Sequence, residues 1–362
     1  MSSKKHIAIC STSYYEYDRR LQRIADALIS EGYQITWISR QQSAKAKPIS
    51  GLTHYLIDTH FKSGPLFYLE YNWRILKALR QIKPDYINAI DLDTIPGCSA
   101  AKGSTQKLIF DAHEIYYEVP ELINKPLKKA IWKAAARHYL PALKLSYTVN
   151  SSLKDHYEAK YKTSYEVIRN IGLITQQARD EYANNKTLVY LGVLNIGRGI
   201  EIAIEAVRRR PDYTLLLIGE GDESQALRAQ AAGLANVKFW GYAQPSEING
   251  LLREAAIGIN MLKAESLNYK LSLANKFFDY MHVGLPSINM DYPEYASIIK
   301  KNKVGLLVKE YSVEGLLQAL TTLENEGLYL ELTQNAIAAR EEYNWDIEKK
   351  KLLRFYNEVS AE

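Results

Sequence analysis

Three charged side chains near predicted strand-to-helix turns are the first candidates for chemistry. Lys276 and Asp279 lie three residues apart in "NKFFDYMHVGLP", so they share one face of a predicted helix, close to its start. Arg198 lies between two glycines in "YLGVLNIGRGIEIAIEAV", just before another predicted helix. A fixed cation in a glycine-rich turn suits a diphosphate ligand. The alternative for Arg198 is a solvated arginine beside an ordinary turn.

Glycines follow two predicted strands of the second half. Gly192 ends the strand in "TLVYLGVL", and Gly219 and Gly221 follow the strand in "TLLLIGEG". Glycine lets a backbone approach a ligand closely, and a helix N-terminus favours phosphate. Ordinary strand-to-helix turns also use glycine, so this pattern fits a purely structural role equally well.

Polar residues also follow the predicted strands of the first half. "LIFDAHEIYYE" places Asp111, His113 and Glu114 at the end of a buried strand, where open α/β sheets keep their chemistry. "INAIDLDT" contains Asp91 and Asp93, and paired carboxylates can hold a nucleotide-bound divalent metal. We favour the alternative that this pair caps a strand end or lines an acceptor cleft. A metal-dependent transferase with a single nucleotide-binding domain would leave the second half unexplained.

The segment after the first strand, "STSYYEYDRRL", lacks the G-x-G-x-x-G pattern of a dinucleotide-binding domain, which counts against a dehydrogenase. It carries side chains that suit the grip of a polar acceptor, namely Tyr14, Tyr15, Asp18 and Arg20. A lysine-rich helix within residues 125–144 could rest on anionic lipid. The alternative for that helix is a plain solvated surface.

Composition indicates a globular chain of about two domains. The 362 residues are 47% hydrophobic and 24% charged, as expected where substantial cores form. No run of about 18 apolar residues occurs, and the start "MSSKKHIAICSTS" lacks the long apolar region of a signal peptide. The two cysteines have no metal-ligand spacing, which suits a reducing compartment. We therefore expect a cytoplasmic protein, or one that is peripheral on the cytoplasmic face of an inner membrane.

Charge and periodicity divide the chain into two halves. Residues 1–170 carry a net charge of +9 and residues 171–362 carry −4, so the first half is the better match for an anionic partner. Short apolar runs alternate with amphipathic helical patterns in both halves, which predicts two parallel sheets with crossover helices. Two such sheets in tandem place a ligand cleft between the carboxyl ends of their strands.

Together these motifs resemble the family 4 glycosyltransferases of the GT-B class. The second half resembles the family most closely, through "GVLNIGRGIEIAIEAV", "LLLIGEGDESQAL", "VKFWGYA", "IGINML" and "NKFFDYMHVGLPSINMD" in the family's order and spacing. The first half is similar through "YDRRLQRIADALISEGYQITWIS", "IFDAHEIYYEVPEL" and "VIRNIG". The tail "YNWDIEKKKLLRFYNEV" looks like the family's final helix.

The resemblance implies an α/β fold of two doubly wound, Rossmann-like domains that face a central cleft. A C-terminal helix is expected to cross back to the N-terminal domain. We expect an acceptor-binding domain at residues 1–172, a nucleotide-sugar-binding domain at 173–343, and the crossing helix at 344–362.

The resemblance also implies roles for individual residues. In the family, the helix that here begins with "NK" binds the donor diphosphate at its N-terminus. A carboxylate on the same helix binds the ribose hydroxyls. Asp279 occupies the position of that carboxylate, where glutamate is usual. Lys276 adds positive charge near the phosphates, and Arg198 lies where the family has a phosphate-binding lysine. His113 matches the histidine that approaches the transferred sugar. The implied donor-binding residues are Gly192, Val193, Gly219, Gly221, Tyr242 and Asn275. The predicted acceptor-binding residues are Tyr14, Tyr15, Asp18, Arg20 and Glu114.

The implied activity is a retaining, hexosyltransferase-like transfer from a UDP- or GDP-sugar to a glycan or lipid-linked acceptor, in bacterial-type polysaccharide or glycoconjugate synthesis. No obligatory metal or other cofactor and no nucleic-acid partner is expected. Two positions depart from the family pattern, since Leu271 replaces a glutamate and Val193 replaces an arginine. They favour one alternative, a non-catalytic GT-B partner of another transferase. A second alternative is a GT-B sugar-nucleotide epimerase.

Overall fold

A computed structural model describes residues 5–41, 50–174 and 185–361 of the chain. The chain divides into two compact units: the first unit comprises Met1–Asn170 and Glu348–Glu362, and the second unit comprises Ile171–Ile347. Residues 175–184, which follow the boundary expected between residues 172 and 173, lie outside the described residues.

The first unit contains one parallel sheet in its described residues. Its strands are β1 (His6–Cys10), β2 (Gln34–Arg40), β3 (Leu52–Ile57), β4 (Tyr86–Ile90), β5 (Lys107–Ala112), β6 (Leu145–Thr148) and β7 (Glu166–Val167). Its helices are α1 (Arg19–Ser30), α2 (Gly64–Ile82), α3 (Asp91–Ala101), α4 (Pro126–Tyr139) and α5 (Ser151–Tyr161). The strand order is β3-β2-β1-β4-β5-β6-β7. Because the order reverses between β1 and β4, a crevice is expected at the carboxyl ends of these two strands.

The second unit repeats this arrangement. Its described strands are β8 (Thr187–Leu191), β9 (Thr214–Ile218), β10 (Val237–Gly241), β11 (Ile257–Asn260), β12 (Ser287–Met290) and β13 (Gly305–Val308). Its helices are α6 (Ile200–Arg209), α7 (Ser224–Gln230), α8 (Pro245–Glu254), α9 (Leu267–Lys270), α10 (Asn275–His282), α11 (Pro293–Asn302), α12 (Val313–Leu323) and α13 (Glu326–Ala339). The parallel order β10-β9-β8-β11-β12-β13 reverses between β8 and β11. The predicted pair of doubly wound sheets is therefore confirmed.

The final helix, α14 (Trp345–Ala361), supplies most of its length to the first unit. Near its start, the buried Glu348 accepts the backbone N–H of Arg169 at 2.9 Å. Further along, the ring of Phe355 packs edge-on against Tyr147 of β6, with centroids 5.3 Å apart. These contacts confirm the expected return of the C-terminal helix to the N-terminal sheet.

The structure adds α3, which hydrophobic periodicity did not predict. This helix follows β4 without a connecting loop, because Asp91 adopts φ = 55° and turns the chain at once. Pro96 lies inside the helix, and a proline there normally argues against a helix. Helix α4 ends at Tyr139, and a short 3₁₀ turn that contains Pro141 follows it.

None of the helices in the described ranges combines the length and apolar character needed to cross a bilayer.

Two strand-end glycines bring neighbouring loops of the second unit into backbone contact. Gly219 follows β9 with φ = +135°, and a Cβ at this position would lie 2.0 Å from the carbonyl oxygen of Gly192. A Cβ at Gly221 would lie 2.5 Å from the carbonyl oxygen of Leu194. Only glycine permits this approach, so both positions have the structural role that ordinary strand-to-helix turns require.

Substitution of Gly219 should destabilise the second unit. Gly219→Ala is expected to lower the free energy of unfolding by about 2–4 kcal/mol, because the added methyl overlaps a carbonyl oxygen and the backbone stays strained. Gly250→Ala is the matched control: this exposed glycine of α8 has open space around it, so alanine should be neutral or stabilising by up to about 1 kcal/mol. Urea unfolding curves compare the two variants, and equal midpoints would contradict the prediction.

Candidate active site

A buried ion pair lies at the carboxyl end of β5. Arg20, which is 3% exposed, donates from Nη2 to Oδ1 of Asp111 at 2.9 Å and from Nη1 to the Ile168 carbonyl at 3.1 Å. Asp111 is fully buried. Burial favours the protonated form of Asp111, but Arg20 and His113 outweigh it and lower the pKa of this carboxyl. Arg20 is therefore committed to Asp111, and its predicted acceptor contact stays a prediction.

His113 is held between two carboxylates. Its Nε2 lies 3.0 Å from Oδ2 of Asp111, its Nδ1 lies 3.6 Å from Oδ2 of Asp91, and its backbone N–H donates to Oδ1 of Asp91 at 2.8 Å. Burial lowers the pKa of His113, but Asp111 and Asp91 outweigh it and raise the pKa to about 9. At neutral pH the ring is therefore an imidazolium whose two N–H groups face carboxylates.

The Arg20 side chain also limits the protonation of His113. Arg20 Nε lies 3.0 Å from His113 Nε2, the same atom that faces Asp111. A neutral ring with an unprotonated Nε2 accepts from Arg20, whereas the imidazolium donates to Asp111 instead. The ring orientation is thus fixed in both protonation states.

Asp93 lies buried in the first turn of α3. Its Oδ2 accepts from the Thr12 hydroxyl at 2.6 Å and from the Tyr116 hydroxyl at 3.0 Å. Burial, with a smaller contribution from the charge of Asp91, raises the pKa of Asp93 to about 7. Burial likewise raises the pKa of Asp91 to about 7, against the opposing effect of His113. Both carboxylates therefore already have protein partners, and no group of three or more His, Cys, Asp or Glu in the described residues is arranged to hold a metal ion.

Two other predicted acceptor residues contribute to local structure. Tyr15 is buried edge-on against Trp37 and His54, with ring centroids 5.1 and 4.3 Å apart. Asp18 caps the start of α1, where its side chain accepts from the backbone N–H of Leu21 at 3.0 Å. These contacts are sufficient to explain why a tyrosine and an aspartate occur at these two positions.

The remaining predicted acceptor residues, Tyr14 and Glu114, keep part of their surface exposed. The guanidinium of Arg40 stacks 4.7 Å from the Tyr14 ring centroid. The backbone carbonyl of Glu114 accepts from the Tyr157 hydroxyl at 2.7 Å. Tyr14 and Glu114 are the stronger candidates for acceptor contact, which stays a prediction for all five residues.

In the second unit, Lys276 is a buried cation beside the reversal of strand order. It is 7% exposed, and its Nζ lies 3.6 Å from the ring centroid of Tyr190 at the end of β8. A Cβ added to Gly192 would lie 3.4 Å from the same Nζ. Burial and the nearby Arg198 lower the pKa of Lys276 well below its ordinary value, against the attraction of Asp279. An anionic ligand would therefore stabilise this lysine in its charged form.

Arg198 lies close to Lys276 in the turn between β8 and α6. Its guanidinium carbon lies 4.7 Å from the ring centroid of Tyr269, and its buried Nε makes no hydrogen bond. The turn is fixed on its other side, because the carbonyl of Gly197 accepts the backbone N–H of Lys263 at 2.9 Å. The two neighbouring cations and one unused donor form a site suited to an anion.

The start of α10 adds to this site. Its N-cap is Ala274, whose side chain cannot cap the helix, and the Ala274 N–H is occupied by the Tyr295 hydroxyl at 2.9 Å. Asn275, the first helical residue, is exposed, and Asp279 lies half-buried one turn later. An uncapped helix N-terminus carries a partial positive charge. The structure therefore brings together Lys276, Arg198 and the helix start that the sequence predicts.

Two other residues that are predicted to bind the nucleotide-sugar donor occupy exposed loop positions. Val193 is 53% exposed and Tyr242 is 59% exposed. The Val193 carbonyl accepts from the Tyr190 hydroxyl at 2.9 Å. This hydrogen bond fixes the loop that carries Val193, the residue that replaces the family's arginine. Sequence patterns missed Tyr190 and Tyr269, the aromatic partners of the two cations. Within their segments these tyrosines look like ordinary core residues.

Two family models match the chain. The model described as Glycosyltransferase Family 4 matches residues 18–171, and the one described as Glycosyl transferases group 1 matches residues 185–326. A two-sheet GT-B fold with family matches on both halves defines a glycosyltransferase. The chain belongs to the group 1, family 4-like glycosyltransferases.

Curated relatives are similar over different shares of their length. A phosphatidyl-myo-inositol mannosyltransferase of Mycobacterium leprae is 27% identical over 184 residues, which are 49% of this chain and 47% of the relative. The chain thus matches about half the length of that enzyme. An uncharacterised glycosyltransferase of Haemophilus influenzae is 20% identical over 344 residues, covering 88% of this chain and 90% of the relative.

Solved structures share the fold at low identity. Sucrose-phosphate synthase from Thermosynechococcus elongatus has a TM-score of 0.80 and 14% identity, covering 99% of this chain and 100% of that one. HepE from Anabaena, in complex with UDP and glucose, has a TM-score of 0.76 and 16% identity, covering 97% of this chain and 99% of that one. WaaG, a glycosyltransferase of lipopolysaccharide biosynthesis, has a TM-score of 0.72 and 15% identity, covering 96% and 98%. These likenesses confirm the predicted GT-B fold class.

The stability of the protein should depend on pH through His113. Its folded-state pKa of about 9 lies above the ordinary value of 6.5, so the imidazolium stabilises the fold fully below about pH 6.5. This stabilisation is lost as the pH rises through about 9. We expect the free energy of unfolding of the wild type, relative to His113→Gln, to fall by up to about 3 kcal/mol from about pH 6 to about pH 10.

Urea unfolding at several pH values measures this difference. His60→Gln, at an exposed histidine of the same unit, is the control for the loss of an imidazole side chain outside this buried cluster. A pH-independent difference between the wild type and His113→Gln would exclude the imidazolium assignment.

Proposed function

We propose that this glycosyltransferase is a retaining enzyme that transfers a sugar from a UDP- or GDP-sugar to a glycan or lipid-linked acceptor without an obligatory metal. The observation that carries the proposal is the buried cation Lys276, placed with Arg198 beside the uncapped start of α10. The resemblance to family 4 enzymes supports retention of configuration.

Lys276 and Arg198 act on the leaving diphosphate. As the glycosidic bond breaks, negative charge grows on the phosphate oxygens, and fixed positive groups in a buried site stabilise that charge strongly. Lys276 is held in place by packing against Tyr190, so no reorganisation is needed when the charge develops. The unpartnered Nε of Arg198 can donate to the same group. Asp279, one turn into α10, accepts from the ribose hydroxyls in this arrangement.

His113 faces the sugar in the proposed reaction. Asp111 and Asp91 keep the ring in one orientation and favour its charged form. Both ring N–H groups of the imidazolium face Asp111 and Asp91, so His113 places positive charge beside the sugar rather than removing a proton. This role requires the ring position that the Arg20–Asp111 pair maintains.

The names of several relatives support the substrate classes. HepE was solved with UDP and glucose, which supports a UDP-sugar donor. The mannosyltransferase relative is named for phosphatidyl-myo-inositol and WaaG for lipopolysaccharide biosynthesis, which supports a lipid-linked or surface-glycan acceptor. The net charge of +9 on residues 1–170 suits an anionic acceptor.

Replacing Lys276 should separate activity from stability. Lys276→Met is expected to lower kcat/KM about 10²–10³-fold, because a donor to the leaving group is lost. The free energy of unfolding should stay equal or rise, because removing a buried charge removes its desolvation cost. Donor turnover and urea unfolding measure the two effects on the same preparation.

Lys270→Met, at an exposed lysine of α9, is the matched control and should change neither quantity. If Lys276→Met kept full turnover, Lys276 would have no part in the reaction.

Donor turnover should persist in EDTA, because cationic side chains rather than a metal ion balance the diphosphate. Turnover of UDP- and GDP-sugars is measured with and without chelator, and the products are identified. Complete loss of turnover that Mg²⁺ or Mn²⁺ restores would instead promote Asp91 and Asp93 to metal ligands. An epimerised nucleotide sugar would indicate the epimerase alternative. Nucleotide binding without any turnover would indicate a non-catalytic partner.

A further inference from the structure

Helix α2 is apolar on two opposite faces. Phe67, Tyr71 and other residues of its inner face are buried in the first unit. The outer face exposes Leu66, Leu69 and Trp73, which are 53%, 69% and 50% exposed. The i, i+3, i+7 spacing aligns these three side chains in one stripe. An ordinary solvated helix would have polar residues there.

Helix α4 carries a second exposed stripe. Leu127 and Ile131 are 75% and 53% exposed and lie four residues apart. The two helices meet at their N-terminal halves, where the rings of Tyr68 in α2 and Trp132 in α4 pack edge-on with centroids 5.0 Å apart. We define the α2–α4 surface by the five exposed apolar residues Leu66, Leu69, Trp73, Leu127 and Ile131.

Basic residues surround the α2–α4 surface. Lys77 lies over the Trp73 ring at 3.6 Å, and Lys125 and Lys128 are exposed at the start of α4. Helix α4 contains no acidic residue. The single carboxylate of α2, on Glu70, is bonded to Arg74 and to the backbone N–H groups of residues 60 and 61.

The structure divides the lysines that the sequence groups within residues 125–144. Lys129 and Lys133 form ion pairs with Glu118, at 2.5 and 3.2 Å. These two cations are neutralised within the protein, whereas Lys125 and Lys128 form no ion pair among the described residues. Only Lys125 and Lys128 can therefore contribute their full positive charge to the binding of an external partner.

We propose that the α2–α4 surface docks on an anionic lipid bilayer, with its apolar side chains in the headgroup region and Lys77, Lys125 and Lys128 on the anionic headgroups. Interfacial helices combine Trp and Leu with lysine in this way. Protein–protein interfaces are instead depleted in lysine, which disfavours a protein partner. Helices α2 and α4 both begin at the carboxyl edge of the sheet, the edge that holds His113. The inference rests on the proposed function only in taking the acceptor to be lipid-linked.

Vesicle flotation at low salt tests the proposal, because screening there is weakest. The wild type should float with phosphatidylcholine vesicles that contain phosphatidylglycerol and stay unbound with pure phosphatidylcholine. Leu69→Gln with Trp73→Gln should lower the bound-to-free ratio at least about tenfold, and so should Lys125→Glu with Lys128→Glu. All four positions are exposed, so the variants should fold.

Control variants carry changes of the same kind elsewhere. Leu330→Gln changes an exposed leucine of α13, and Lys300→Glu with Lys309→Glu makes the same charge change on exposed residues of the second unit. Both should float like the wild type. Quenching of Trp73 fluorescence by brominated lipid, taken as the difference from Trp73→Phe, reports insertion directly.

Three results would overturn the proposal. The wild type would fail to float with anionic vesicles, or the Leu69→Gln, Trp73→Gln variant would float as well as the wild type. Alternatively, light scattering would show a dimer that this variant abolishes, which would make the surface an interface between copies of the chain. Donor turnover in solution is measured in parallel. Its absence from the wild type would count against the proposed function and leave the flotation result unaffected.

Discussion

The geometry of the first unit depends on the buried charge of Asp111. This carboxylate lies at the end of β5 with no exposed surface, and Arg20 reaches it from α1 while also binding the carbonyl of Ile168. A buried charge that lost its partner would cost about 3–5 kcal/mol, so α1, β5 and the chain near β7 are tied to one arrangement. His113 takes its orientation from the same carboxylate.

The second unit treats its buried charge differently. Lys276 faces an aromatic ring and another cation, and Arg198 keeps one buried donor unused. In the first unit the charges satisfy one another, whereas here positive charge is concentrated at the start of an uncapped helix. A site of this kind is costly when empty and is stabilised by an anion. This contrast is the physical reason for our proposal that the donor phosphates bind to the second unit.

The two carboxylates of α3 have different protein partners. Asp91 and Asp93 are two residues apart, but one bonds to the backbone of His113 and the other to two hydroxyl groups. Their raised pKa values follow from removing the carboxylates from water. Spacing in the sequence could not distinguish these partners from a shared metal, because side-chain direction is set by the sharp turn at Asp91.

The sequence by itself determined the class of fold and the position of its main charged residues. Apolar runs alternating with amphipathic helices require parallel sheets, and residues such as Lys276, Arg198 and His113 follow strands, whose carboxyl ends share one edge. Only the tertiary structure decided which charged side chains are paired with other groups of the protein. Arg20, Tyr15 and Asp18 are predicted to bind the acceptor, and the structure shows that they also form an ion pair, pack in the core and cap a helix. Lys129 and Lys133 likewise proved to be paired with Glu118. A residue's type gives its chemistry, but its availability depends on partners that are distant in the chain, and no local pattern records them.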